Sequence, residues 1–280
     1  MKLDENTRIA RVQAQARNYV TCGDFSGAET TLLRALRSAH LHTPECLFLW
    51  NELGMVYKYL GRFDKSRDLY RRALREAPGL LSGAERDFFL ADLYHNLGGL
   101  EHARGRFRRG EIFARKGLQL RRRLAAGGGL VVAADKAALA ALLDGQRKFT
   151  EAEELYRQVL RTYRRAYGAS HAEIALVLNN LAALCQGTGR PKRAEAYYRA
   201  SLAMKRQELG ALHPRVAVTL NNLGMLYRAQ GKARAAERCL GNARRLLLRS
   251  LGRAHIHTKA VRKNYQLIRY GAARRDHESN

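Results

Sequence analysis

Histidines, carboxylates and cysteines are the side chains with which this chain would do chemistry, and their spacing argues against it. His171, His213 and His255 recur every 42 residues. Helix-packing distances would hold equivalent corners of successive units about 10 Å apart, whereas a metal needs its ligands about 2 Å from the ion. These three are expected to be structural loop residues. His40 and His42 lie closer together, but no third ligand accompanies them. His95 and His102 share a stretch with Asp92 and Glu101, the residue types of a general base and its orienting carboxylate. Such a base also needs a positioned nucleophile and an enclosed pocket, and the sequence shows neither. Cys22, Cys46, Cys185 and Cys239 stand singly, as free thiols in a reducing, cytoplasmic setting would. The expectation is a protein that is not an enzyme and holds no metal and no cofactor.

A different set of polar residues does recur. Asn179-Asn180 and Asn221-Asn222 are 42 residues apart, and Asn264 continues the second of the two positions. A carboxamide offers both a donor and an acceptor, so a column of them suits the backbone of an extended peptide.

The elements that position these residues follow from the repeat itself. HAEIALVLNNLAALCQGTGRPKRAEAYYRA starts at His171 and HPRVAVTLNNLGMLYRAQGKARAAERCL at His213, and the opening half returns as HIHTKAVRKNYQLIRYGAARR from His255. Each reads as a helix, a glycine-centred turn and a second helix. A fixed period near 40 with helical phasing is the signature of a stacked helical repeat. Upstream, Thr43-Pro44-Glu45 supplies a helix start with Pro at the first position. CLFLWNELGMVYKYL then places Trp50, Leu53, Gly54 and Tyr57 on one face. Gly61-Arg62-Phe63 turns the chain, the partner helix carries Phe63, Ser66, Tyr70 and Ala73, and Pro78 reads as its stop. Gly54 and Ser66 let the two helices approach closely. Ser82 to Glu85, Thr150 to Glu153 and Ser170 to Glu173 read as capping boxes. Gly110 and Gly117 stand where alanine would be expected, each costing about 1 kcal/mol of helix propensity. Gln146-Arg147-Lys148-Phe149 replaces a glycine turn, and Ala137-Ala138 replaces the asparagine pair.

From Trp50 to Pro78 the pattern W-x2-LG-x2-Y, a turn glycine, then S, Y, A and P resembles the tetratricopeptide repeat. YGASHAEIALVLNNLAALCQ and LGALHPRVAVTLNNLGMLYR look like the 42-residue kinesin-light-chain class of that repeat, which is widespread in bacterial scaffold proteins. The resemblance covers most of residues 8–271. It implies an all-α fold, a right-handed alpha-alpha superhelical solenoid of about six helix pairs and a C-terminal capping helix. This is expected to be a single solenoid over 1–271, with a Gly127–Gly129 joint inside it and a frayed tail at 272–280.

The resemblance also implies that the first helix of each unit lines a concave, partner-binding face. By register that face holds Asn51, Lys58, His95, Asn96, Asn179, Asn180, Asn221, Asn222, Arg228, Lys263 and Asn264. Asn180, Asn222 and Asn264 are equally open to a structural reading, bonded to a neighbouring helix, whereas Asn179 and Asn221 suit contact better. Lys58, Arg228 and Lys263 would hold acidic side chains or a terminal carboxylate. The function expected is a protein-interaction scaffold.

Charge supplies the alternative. The chain carries 51 Lys and Arg against 25 Asp and Glu, a formal +26, which favours anionic partners. Arg108, Arg109, Arg121, Arg122, Arg123, Arg161, Arg164 and Arg165 would bind a nucleic-acid backbone without sequence selectivity, although no nucleic-acid-binding motif is present. Self-association through an imperfectly capped end is a further expectation. No apolar leader and no run of 18 apolar residues is seen, so neither a signal peptide nor a membrane span is expected.

Overall fold

The computed structural model describes residues 5–39, 43–124, 129–253 and 255–278. Every element among them is an α-helix: α1 (Glu5–Cys22), α2 (Phe25–Ser38), α3 (Pro44–Tyr59), α4 (Phe63–Leu80), α5 (Gly83–Ala103), α6 (Phe107–Arg123), α7 (Gly129–Gly145), α8 (Phe149–Tyr167), α9 (Ala172–Gly187), α10 (Pro191–Leu209), α11 (Pro214–Ala229), α12 (Ala233–Leu251) and α13 (Ile256–Glu278). The chain divides into two compact units, Met1–Val159 and Leu160–Asn280, and the division falls inside α8 rather than at the glycine run. Gly129 opens α7, while Gly127, Gly128, His40 and His42 lie outside the described residues. The end expected to fray is helical through Glu278.

Within the first unit each helix from α1 to α7 packs on the next, and the first helices α1, α3, α5 and α7 also touch in sequence. Within the second unit α9 to α13 do the same, with α9, α11 and α13 in contact. Each helix thus buries one stripe against its own partner and another against the next repeat, as a stacked array requires.

Six turns share one geometry. The residue after the turn donates its amide to the carbonyl five residues back, from Asp24 to Tyr19, Arg62 to Tyr57, Arg106 to Glu101, Lys148 to Leu143, Arg190 to Cys185 and Lys232 to Tyr227, all at 2.8–2.9 Å. Closing a helix this way puts the turn residue in the left-handed region. Gly23, Gly61, Gly105, Gly189 and Gly231 occupy it with φ of 70–82°, and Arg147 is forced into it with φ 64°. A side chain there costs about 1 kcal/mol. Arg147→Gly is therefore expected to stabilise the protein by about 1 kcal/mol, read as a higher midpoint in urea unfolding.

Helix starts differ from expectation in an instructive way. Ser82 is the N-cap residue of α5, but its side chain makes no cap bond. Thr150 lies inside α8, and Ser170 precedes the true cap of α9, which is His171. The ring Nδ1 of His171 accepts the Glu173 amide at 3.2 Å, that of His213 accepts the Arg215 amide at 3.1 Å, and that of His255 accepts the His257 amide at 3.2 Å. The periodic histidines are caps: each satisfies a backbone N–H that the helix itself leaves orphaned. Pro78 does not stop α4, which runs on to Leu80.

Close packing explains the glycines. A Cβ on Gly54 would meet the Tyr70 ring at 2.5 Å, and Ser66 Oγ donates to the Gly54 carbonyl at 2.7 Å. On Gly110 it would meet Leu142 at 2.4 Å, and on Gly117 the Ala91 carbonyl at 3.1 Å. What reads as a propensity defect in α6 is the clearance that lets α5, α6 and α7 meet.

Candidate functional site

The first helices carry a polar strip, and its members bond to one another. In the second unit five carboxamides form one directed chain. Asn264 Nδ2 donates to Asn221 Oδ1 at 2.9 Å, and Asn221 Nδ2 to Asn222 Oδ1 at 3.3 Å. Asn222 Nδ2 then donates to Asn179 Oδ1 at 3.4 Å, and Asn179 Nδ2 to Asn180 Oδ1 at 3.4 Å. The chain crosses α13, α11 and α9. Both asparagine positions therefore take part in joining repeats, the second residue of one pair reaching back to the first residue of the pair before it. Asn179 is buried, and Thr219 Oγ1 also donates to it at 3.2 Å. Asn180, Asn221, Asn222 and Asn264 stay half-buried, and each amide keeps a lone pair or an N–H beyond these bonds. Arg228 on α11 and Lys263 on α13, two of the helices that carry the chain, are exposed.

The first unit repeats the rule once, with Asn96 Nδ2 donating to Asn51 Oδ1 at 2.9 Å. At the position equivalent to Asn96, α3 has Glu52, buried and paired with Arg17 at 2.7 Å. Lys58 Nζ lies 5.0 Å from the Tyr59 ring centre, and the absent side chain of Gly99 leaves room for it. His95 belongs to a different system. Its Nδ1 is hydrogen-bonded to Asp135 Oδ1 at 2.7 Å, and Asp135 Oδ2 accepts from Arg121 Nε at 3.3 Å. Arg121 also donates to Asp92 and stacks 4.6 Å over the Phe88 ring.

Arg121 is therefore removed from the set of exposed arginines. Its side chain is 2% exposed, held between α5 and α7 by two carboxylates. Arg109 is half-exposed, 3.7 Å from the buried Glu101. Arg108, Arg122, Arg123, Arg161, Arg164 and Arg165 are exposed on α6 and α8.

The second unit has a counterpart of the Arg121 system that the sequence did not disclose. Lys205, on α10, is buried and donates from Nζ to Thr219 Oγ1 at 2.8 Å, and Thr219 in turn donates to Asn179. Burial, then the Arg215 charge, push the Lys205 ammonium down to about 8, with Glu173 opposing. Among the described residues no group of three His, Cys, Asp or Glu is placed to hold a metal.

Three models, each described as a tetratricopeptide repeat, match residues 133–207 and 173–249, 47–80, and 90–125. The chain belongs to the tetratricopeptide-repeat family. No curated protein sequence matches it. Among solved structures it is similar to BtubC (BKLC) from P. vanneervenii, at 26% identity and a TM-score of 0.55, over 86% of this chain and 88% of that one. A Rap protein complexed with competence and sporulation factor superposes with a TM-score of 0.71 at 13% identity, over 89% of this chain and 68% of that one. A putative kinesin light chain of nearly identical repeats from Podospora anserina gives 0.51 at 19% identity, over 73% of this chain and 96% of that one.

In tetratricopeptide-repeat terms the six shared turns are the joints of the helix pairs, and the asparagine chain sits on the first helices of three consecutive repeats. No helix of the described residues is long and apolar enough to cross a membrane.

Proposed function

We propose that the protein is a non-enzymatic scaffold that binds a protein or peptide partner along the first helices of its repeats. The observation that carries this reading is the five-amide chain from Asn264 to Asn180. Four of its members are half-exposed and retain hydrogen-bonding capacity, and the same helices α11 and α13 carry two exposed cations, Arg228 and Lys263, that make no ion pair among the described residues. An extended acidic segment would find amides for its backbone and cations for its carboxylates. Asn51, Asn96 and Lys58 offer a shorter version in the first unit, where α7 has Ala137 and Ala138 at the asparagine positions.

Because Asn179 and Asn222 also join repeats, removing them would confound binding with folding. Charge reversal at exposed positions separates the two. Arg228→Glu with Lys263→Glu is expected to leave the unfolding midpoint within about 0.5 kcal/mol of wild type while lowering partner capture at least tenfold. The readout is isothermal titration with the partner recovered by wild-type pull-down. Unchanged affinity removes the first-helix reading.

A second reading, a nucleic-acid backbone on the second helices, is favoured only by the exposure of Arg108, Arg122, Arg123, Arg164 and Arg165. It requires binding to mixed-sequence RNA or DNA that falls steeply with salt.

A further inference from the structure

The second unit holds a cleft of about 720 Å³ bounded by α10, α12, the link between α10 and α11, and Leu220 of α11, with none of the five chain asparagines in its lining. We propose that this cleft is a second docking site, one that takes an acidic peptide by a single aliphatic side chain. Its walls are leucines. Leu220 and Leu246 line it, and Leu212 stands at its mouth on the short link to α11, 65% exposed. Gly210, at φ 83°, turns the chain so that Ala211 and Leu212 project beside the second helices. An exposed leucine on a connecting turn has no packing duty in its own repeat, and here it completes an apolar wall.

The rim is cationic. Arg206 comes from α10, and Arg245 and Arg249 come from successive turns of α12. Among the described residues no acidic residue lines the cleft and none of the three is ion-paired, while Arg245 Nη2 donates to Asn242 Oδ1 in the same lining at 2.5 Å. Three guanidinium groups around an apolar floor ask for a ligand that presents an aliphatic body and carboxylates on either side of it. The volume lies within the range of drug-sized pockets and suits one large side chain with its neighbouring backbone.

Other occupants fit less well. A nucleic acid would need aromatic faces on which bases stack, and none of the described residues lining the cleft is aromatic. A second copy of this chain brings a surplus of positive charge to a positive rim. A lipid surface calls for a broad projecting apolar patch, whereas Leu212 is one residue beside a concave floor. Its cationic rim comes from the second helices α10 and α12, so the cleft would let one scaffold hold a second acidic partner.

The test uses the full chain and a fluorescein-labelled twelve-residue peptide with a central Leu flanked on each side by three Glu, read by anisotropy at physiological salt. Binding is expected, with at least a fivefold loss when the peptide Leu becomes Ser and a similar loss when its Glu become Gln. Leu212→Asp and the pair Arg245→Glu, Arg249→Glu are each expected to weaken it about tenfold, with helical circular dichroism unchanged. In the pair Arg228→Glu, Lys263→Glu the Leu-to-Ser discrimination is expected to persist, because the first-helix face takes an acidic segment by backbone and carboxylates and not by a leucine, so failure here is distinguishable from failure of the first-helix reading. The proposal is overturned by absence of binding, by equal affinity of the Ser peptide, by loss of the Leu-to-Ser discrimination in the Arg228 and Lys263 variant, or by tighter binding of oligothymidine or phosphatidylserine vesicles than of the peptide.

Discussion

Arg121→Leu is expected to destabilise the protein by about 3–5 kcal/mol, the usual result of removing one partner from a buried ion pair. Asp135 is 4% exposed on α7, and its two oxygens face Arg121 and His95. Without the guanidinium, the carboxylate keeps only the imidazole of a residue that is itself one-third exposed. Asp92, 43% exposed, returns to water at little cost. Against a total stability of about 5–15 kcal/mol for a typical domain, the loss should be visible as a large fall in urea midpoint and as early unfolding of α6 and α7 in hydrogen exchange. Arg121→Lys is not a rescue, because one ammonium cannot span Asp92 and Asp135 as the planar fork does. The double variant Arg121→Leu, Asp135→Val is the informative control. Arg121 Nη1 has no hydrogen-bond partner, so the native system is incompletely satisfied. An apolar pair of similar size should recover most of the lost stability or exceed the wild type. If the single substitution leaves the midpoint unmoved, the buried ion pair does not hold α5, α6 and α7 together.

Why Arg121 escaped recognition follows from what a sequence encodes. Arg121-Arg122-Arg123 ends a helix, and a basic last turn reads as solvated charge that complements the helix dipole. Only register across repeats sets Arg121 apart. Ala77, Arg121, Tyr163, Lys205 and Leu247 all follow their turn residue by the same interval, and all five are buried, whether alanine, arginine, tyrosine, lysine or leucine. Position in the repeat, not residue type, decides burial. The same logic made the turns legible, since glycine is the residue that a left-handed helix end prefers, and it made the Trp50, Leu53, Gly54 and Tyr57 face legible, since burial there follows helical spacing. The caps were hidden because serine and threonine are the expected cap residues, while the structure uses histidine Nδ1 at His171 and His213. For the candidate site, the positions of the asparagines were readable but their mutual bonding was not. Whether Asn222 meets Asn179 depends on the distance between α9 and α11, which no local pattern contains.

Lys205→Leu combined with Thr219→Val is expected to act in the opposite direction, raising stability at neutral pH by about 1–3 kcal/mol. The next repeat supplies the template: Leu247 and Val261 occupy the equivalent positions, both buried in one apolar cluster. Thr219 is fully buried and Lys205 nearly so. Asn179 Oδ1 would lose the Thr219 hydroxyl but keep the Asn222 amide. The pH dependence supplies a second and sharper readout. Lys205 titrates near 8 in the folded state, against 10.5 when exposed, because burial and Arg215 disfavour its charge more than Glu173 supports it. Below about 8 the lysine is charged in both states, and the folded state carries the full penalty, about 3 kcal/mol for that interval. Between 8 and 10.5 the unfolded chain binds more protons than the folded one, so this residue makes stability rise with pH. The double variant should lack that rise while gaining stability below 8. Urea unfolding at pH 7 and pH 10 for both proteins tests both halves together. A variant that is no more stable at pH 7, or that keeps the wild-type rise, would show that the Lys205 ammonium is not carrying a burial penalty in this joint between repeats.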